Sequence, residues 1–564
     1  MTTYANPAAP EDRQAGGAVV PAYRAIAAAL ADLGVDEVFG LMGDDTVRLV
    51  SALVARGVTY HNARHENAGI AMAAGYASAS GRLGVSVISR GPGTTNGVTA
   101  AVNAARGNAP VLIVTGDESL RPPANTVLLP DGKALDATAL ATDVGVPVFT
   151  ARSAATVVAT VREAAQAASE GRTVLMTVPM DLFDADVPDA GPIALEPVGR
   201  TPVPARDAAL AAAVAVLGGS NRPMIVAGAG AWAAGARDAI VELAERTGAM
   251  LATSLRGKDM FHGHRLDVGM IGSFSHSAGR RFFEQADSVL VFGASLNRHS
   301  TSSGTSLPPV PLVQVDADRD AIGRFHWAEV AVVGDCRLVA EQLLATLPER
   351  AARDKPWHTE VSLAPLAGHR PADDVDDAGT QWTVDPRTLL LELDELLPAD
   401  RAVVTDNGNF FGFVPPHLRV PSPDRFKQSS DFAVIGLGLG TALGCALARP
   451  GVSTVAIVGD GGLLMALGEL ETLARLDVPL VVVVMNDCAY GAERHYLENR
   501  RFSGRTAMFP DTDFAAVAEA FGIPSVTVRS VADLRAARSA LSDRDGPLLL
   551  DCKVTPTVVA PFLA

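Results

Sequence analysis

The chain has 564 residues, 48% hydrophobic and 20% charged, which is too long for one core and ordinary for a globular chain of about two to four domains. Its formal net charge of −16 excludes a global basic field for nucleic acid or an anionic membrane, so an anionic ligand needs a local site. The four cysteines, Cys336, Cys445, Cys488 and Cys552, lie far apart with no C-x-x-C, which excludes a zinc ribbon and reads as reduced thiols of a cytoplasmic protein.

Residues 1–17 are polar, are expected to be flexible, and lack the charged start and apolar run of a signal peptide. Residues 18–188 alternate apolar strands ("EVFGLMG", "VSVISRGPG", "APVLIVTGD", "RTVLMTVP") with helical patterns, which predicts an α/β domain with a mostly parallel sheet. These apolar runs are too short to span a bilayer and read as strands buried on both faces. Asp44 stands in "GLMGDDT" and Glu66 in "RHENAG", ahead of the turn "RGPGTTN". His65 is expected to support Glu66, while His61, His276 and His495 show no partner in the sequence.

A Pro- and Gly-rich stretch leads to a second α/β block, residues 205–347, with strands "RPMIVAGAG", "AMLATS", "SVLVFGAS" and "PLVQVDAD". Its "GAGAWAAGA" leaves two readings open: a seat for a nucleotide such as FAD, or a helix packed on a sheet. The second is favoured. Residues 348–382 are expected to be a linker, and residues 383–564 form the third block.

In that block the strand of "STVAIVGDGG" runs into a turn and a helix. Residues 462–485 then carry the chain through the helix and the strand "VPLVVVVM" to "NDCAYG". This spacing brings Asp460 and Asn486-Asp487 to the same edge of neighbouring parallel strands, where open α/β sheets bind ligands. A lone aspartate between glycines is a common helix cap. Two oxygen side chains plus a turn carbonyl are half of a Mg2+ shell that phosphate oxygens complete, and Gly461 and Gly462 amides suit the same phosphates.

The G-D-G and N-D pair, "RHE" and "GPGTTN" together resemble the thiamin diphosphate-dependent enzymes of the acetolactate synthase type, and the likeness spans nearly the whole chain beyond residue 18. The resemblance implies pyrimidine-binding, central Rossmann-like and diphosphate-binding domains, with thiamin diphosphate and Mg2+ as cofactors. It puts Asp460, Asp487 and the Ala489 carbonyl on the metal, with Asn486 as a fallback. Gly408 and Asn409 of "TDNGN" fall on the diphosphate, the Ala433 carbonyl on the 4′-amino group, and Ile435 under the bent cofactor. Glu66 falls on N1′ of the aminopyrimidine, where a carboxyl stabilises the imino tautomer that takes the thiazolium C2 proton. "GLGLGTALG" is read as close backbone approach to this cofactor.

The phenylalanine and Gln-Glu pair of acetolactate synthases are absent from the stretch comparable to Gly132, Lys133 and Ala134, and so is the His-His pair of pyruvate decarboxylases. Asp44 and Glu493 match two acids of the latter, and two carboxyls over the ring relay protons if crowding raises one pKa. The expected activity is decarboxylation of a 2-oxo acid, carboligation, or both, by a homodimer or homotetramer acting on small molecules. The rivals are a non-decarboxylating aldehyde lyase, a flavin-dependent oxidase and a non-catalytic homologue.

Overall fold

The computed structural model describes residues 19–120, 131–188, 191–196, 201–347, 357–358, 360–542 and 545–563; the N-terminal segment expected to be flexible lies outside them. Three six-stranded sheets, each wholly parallel, are flanked by helices. Strands such as Val111–Asp117 and Leu480–Asn486 are Val- and Leu-rich and buried along their length, as a sheet covered on both faces requires.

The first sheet runs Thr59–Asn62, Glu37–Leu41, Gly84–Ile88, Val111–Asp117, Thr173–Pro179, Val148–Thr150. The third runs Phe426–Gln428, Arg401–Thr405, Ser453–Gly459, Leu480–Asn486, Leu548–Lys553, Ser525–Val528. Numbered within each block, both have the order 2-1-3-4-6-5, so the outer two blocks share one architecture. The central sheet has the order 3-2-1-4-5-6 of a dinucleotide-type fold, from Asp267–Met270 at one edge to Val330–Val333 at the other. Part of the expected linker is helical over Glu360–Ala367, where Leu363 and Leu366 pack on the central core.

The central block has its own core, whereas the outer blocks share one that includes Phe39, Ile70 and Met72 with Leu439, Leu443 and Val484. The shared seam is the helix Glu66–Ser80 lying against the helix Gly438–Ala448. A Cβ on Gly75 would sit 2.1 Å from the Thr441 carbonyl oxygen, and one on Gly444 2.0 Å from that of Met72. Two of the "GLGLGTALG" glycines, Gly440 and Gly444, therefore serve close helix packing, not approach to a cofactor. Gly75→Ala, which favours a helix intrinsically, is expected to lower the thermal transition through overpacking worth about 1–3 kcal/mol. A wild-type melting temperature would show that the seam yields.

Candidate active site

In both outer sheets the strand order reverses between the first and third strands of the block, and the segments leaving the first four strands at this edge carry the expected site residues. In the C-terminal block Asp460 opens the helix that follows Ser453–Gly459 and is 2% exposed. The Gly461 amide donates to its Oδ1 at 2.8 Å, but its buried Oδ2 has no partner. Asp487 leaves the adjacent strand and accepts from the Ala489 amide at 3.2 Å. Burial pushes the Asp460 carboxyl up to about 7, and burial plus the charge of Asp460 pushes Asp487 up to about 8. Two desolvated carboxyls with a spare buried oxygen are a poor arrangement unless a cation joins them, so the residues present fit a hard divalent metal.

Asn486, the fallback ligand, turns away: its amide donates to Asp551 Oδ1 at 3.0 Å and to the Thr512 carbonyl at 3.1 Å. The Asn409 side chain is likewise spent, donating to the Val558 carbonyl (2.7 Å) and accepting from the Ala560 amide (2.8 Å), which leaves its backbone on the cavity. Ala433 holds a left-handed φ of 57°, uncommon for a residue with a side chain. Buried Asp406 accepts from the Gly436 amide (2.7 Å) and Ser429 Oγ (3.1 Å), and burial raises its carboxyl to about 6. It braces the loop on which Ala433 and Ile435 sit. A cavity of about 300 Å3 opens here, lined by every cofactor residue expected from this block (Gly408, Asn409, Ala433, Ile435, Asp460, Gly461, Gly462, Asp487), by Ala489 and by exposed Glu493.

Glu66 and Asp44 are not on that wall. Glu66 begins its helix at 6% exposure, and Asn96 Nδ2 donates to its Oε2 at 3.0 Å. His65 caps the same helix by accepting from the Asn67 amide at 3.1 Å, the supporting part expected of it. Buried Glu469, from the C-terminal block, accepts from the Arg64 amide at 2.9 Å and from Thr472 at 2.7 Å. Asp44 is exposed and ion-paired with Lys133, which holds its carboxyl below the usual range, the opposite of the shift that crowding would bring. Its neighbour Asp45 is fully buried and accepts from Ser89 Oγ (2.8 Å), the Arg90 amide (2.8 Å) and the Gly116 amide (3.3 Å). One chain thus presents a carboxylate edge on the first sheet and, apart from it, a cavity lined by Asp460 and Asp487 on the third.

Three family models match in register with this architecture: thiamine pyrophosphate enzyme, N-terminal TPP binding domain over residues 21–124, the central domain over 210–343, and the C-terminal TPP binding domain over 406–552. The acetolactate synthase large subunit of Parasynechococcus marenigrum is 30% identical over 547 residues, covering 94% of this chain and 87% of that protein. The chain belongs to the thiamine pyrophosphate enzyme family. The sulfoacetaldehyde acetyltransferase of Castellaniella defragrans is 29% identical, with 89% of this chain and 87% of that protein covered. An X-ray structure of a protein from Mycobacterium smegmatis shares the fold, with a TM-score of 0.75 at 24% identity over 95% of this chain and all of that one.

Within this thiamine pyrophosphate enzyme a larger cavity, about 800 Å3, runs beside the edge strand Asp267–Met270 of the central sheet and holds none of the expected site residues. Lys258, Arg387 and Arg419 on its wall each pair with an aspartate, and His276 is satisfied as the cap of a helix, accepting from the Gly279 amide at 3.2 Å. His61 also has a partner, Glu37, and stacks on Phe39. The "GAGAW" glycines are spent on packing: a Cβ on Gly228 would lie 2.4 Å from the Gly293 oxygen, and one on Gly230 2.8 Å from Gly293 Cα. Sequence reasoning missed Asp45, Asp406 and Glu469. The only signal for Asp406 was its place in "TDNGN"; for the other two there was none, because their partners lie far along the chain.

Proposed function

We propose that this enzyme binds thiamin diphosphate through Mg2+ and acts on a 2-oxo acid, releasing CO2 and either protonating the remaining acyl unit or passing it to an acceptor carbonyl. The observation that carries the reading is the unpartnered buried oxygen of Asp460 beside Asp487, a pair that only a cation makes comfortable. Asp460, Asp487 and the Ala489 carbonyl hold the metal. The Gly462 amide, near a helix start, and the Gly408 and Asn409 backbone hold the diphosphate, while the Gly461 amide is taken by Asp460 Oδ1. Ala433 and Ile435 seat the rings. When bound, thiamin diphosphate supplies the carbon nucleophile and the electron sink. Glu66 holds the proton at N1′, with Asn96 fixing its carboxyl. Asp44 and Glu493 supply carboxyl groups near the reacting carbon; Asp44, kept ionised by Lys133, acts as an acceptor of hydrogen bonds.

Acyl transfer is the favoured fate, because a sulfoacetaldehyde acetyltransferase stands beside acetolactate synthases among the relatives. FAD has no part in this reading, since the glycines considered for it pack a helix on the sheet. Four free cysteines support a cytoplasmic location, and among the described residues no helix is long and apolar enough to cross a membrane. A panel of 2-oxo acids scored for CO2 release, with and without acceptor aldehydes, tests the chemistry. No CO2 from any of them, with a 2-hydroxyketone cleaved instead, would favour an aldehyde lyase.

In this reading the Glu66 edge, which is not on the wall of the Asp460 cavity, completes the cavity of a second copy, as the family resemblance implies, and the smallest active unit is a homodimer, alone or paired into a tetramer. Mixing inactive Glu66→Gln chains with inactive Asp460→Ala chains is then expected to restore part of the activity, because hybrid dimers hold one intact site. Confirmed subunit exchange with no recovery would place both halves of a site in one chain.

A further inference from the structure

The loops leaving the first sheet bring one more charged group beside Glu66. Gly91, with φ 63°, opens the turn "GPG", and a Cβ there would lie 2.5 Å from the Lys133 carbonyl oxygen. Gly93, two residues on, has room for no more: its Cβ would lie 3.0 Å from Glu66 Oε1 and 3.1 Å from Ser89 Cβ. Ser89 Oγ is 3.5 Å from Lys133 Nζ and is held in place by donating to buried Asp45. The order across this edge is therefore Glu66, Ser89, Lys133, Asp44, with the glycine turn as its floor. Arg90, the other cation here, is turned to Asp131 at 2.6 Å and its side chain is 11% exposed, whereas Lys133 remains 32% exposed. An ammonium has three donors; Asp44 takes one, and Ser89 lies at the limit of a second.

We propose that Lys133 binds the carboxylate of the acyl donor, with Asp44 as the internal carboxylate that donor displaces. The inference deepens the 2-oxo acid reading and rests on it. Glu66 marks where the aminopyrimidine sits in that reading, so a donor reacting beside it has its carboxylate within the reach of this edge, and Lys133 is the exposed cation there. Asp44 neutralises the lysine while no donor is bound, and it competes with the substrate for the same N–H groups. The two residues should then act in opposite directions on donor binding.

The test uses the full chain with Mg2+ and thiamin diphosphate, measuring CO2 release from the 2-oxo acid the wild type accepts best, cleavage of an uncharged 2-hydroxyketone, and cofactor affinity. Lys133→Met is expected to raise KM for the 2-oxo acid on the order of 10- to 100-fold, the loss typical of a charge-assisted hydrogen bond. KM for the hydroxyketone and cofactor affinity should stay near wild type, and Lys133→Arg should recover much of the loss. Asp44→Asn should lower KM for the 2-oxo acid even if kcat falls. Equal damage to charged and uncharged donors would mean that Lys133 only holds the turn, and an unchanged KM with normal wild-type CO2 release would overturn the proposal alone. A wild type that releases no CO2 yet cleaves the hydroxyketone would remove the 2-oxo acid reading, and this inference with it.

Discussion

Replacing Asp460 with alanine is expected to abolish Mg2+-dependent binding of thiamin diphosphate while the apo chain stays folded. The carboxylate is buried, one of its oxygens has no partner, and it lies against a second raised carboxyl at Asp487. Without a metal this pair costs the fold stability. Both folded-state values, about 7 and about 8, lie above the ordinary aspartate value of 3.8. Below that ordinary value the carboxyls are protonated in both states and impose no penalty. As pH rises towards the folded values the unfolded chain ionises freely and the folded one does not, so the apo protein loses stability. Asp460→Ala should therefore melt at or above the wild-type apo temperature at pH 8, with the difference shrinking as pH falls. Mg2+ with cofactor should raise the wild-type transition, and most at high pH, but not that of the variant. Normal cofactor affinity in Asp460→Ala would remove this carboxylate as the anchor.

Glu66→Gln is expected to keep the cofactor and lose the rate. Glutamine matches the shape of glutamate and can still bond N1′ and Asn96, but it cannot share a proton. The loss of such a proton-transfer group costs on the order of 10²–10⁴ in rate. The direct measurement is exchange of the C2 proton of bound thiamin diphosphate in deuterated water, which should slow strongly with little change in the thermal transition. Unchanged exchange would place the activating carboxyl elsewhere, with Asp44 next. Glu493→Gln should leave exchange intact and impair product formation, because Glu493 lines the cavity that holds Asp460 and Asp487 and not the Glu66 edge. Equal slowing in both variants would refute this division of roles.

The meeting of Asp460 and Asp487 was legible because it is local in the sense that matters: a strand, a glycine turn and a helix return the chain to the same sheet edge one strand over, so spacing alone brings the two together. Glu66 was singled out differently, by the likeness of "RHE" to a known family, and the structure shows it opening a helix behind a His65 cap. Reading failed where two neighbours differ only in direction. Asp44 and Asp45 are adjacent on one turn, yet the first points to solvent and Lys133 while the second is buried under three donors. No pattern in "GDDT" separates them.

Composition and strand–helix alternation by themselves determined the α/β class and the three blocks, because each depends on chemistry carried by short runs of residues, whereas the cofactor came from the likeness of a few motifs to a known family. Only the tertiary structure decided the rest. Parallel pairing joins strands through long crossovers, so the common 2-1-3-4-6-5 order of the outer sheets has no signature in either block alone. Gly440 and Gly444 of the Gly438–Ala448 helix turned out to admit another helix, because what a missing Cβ makes room for depends on the neighbour that arrives. Asp406, Glu469 and Lys133 meet partners 30, 405 and 89 residues away, and such contacts exist only once the sheets have assembled.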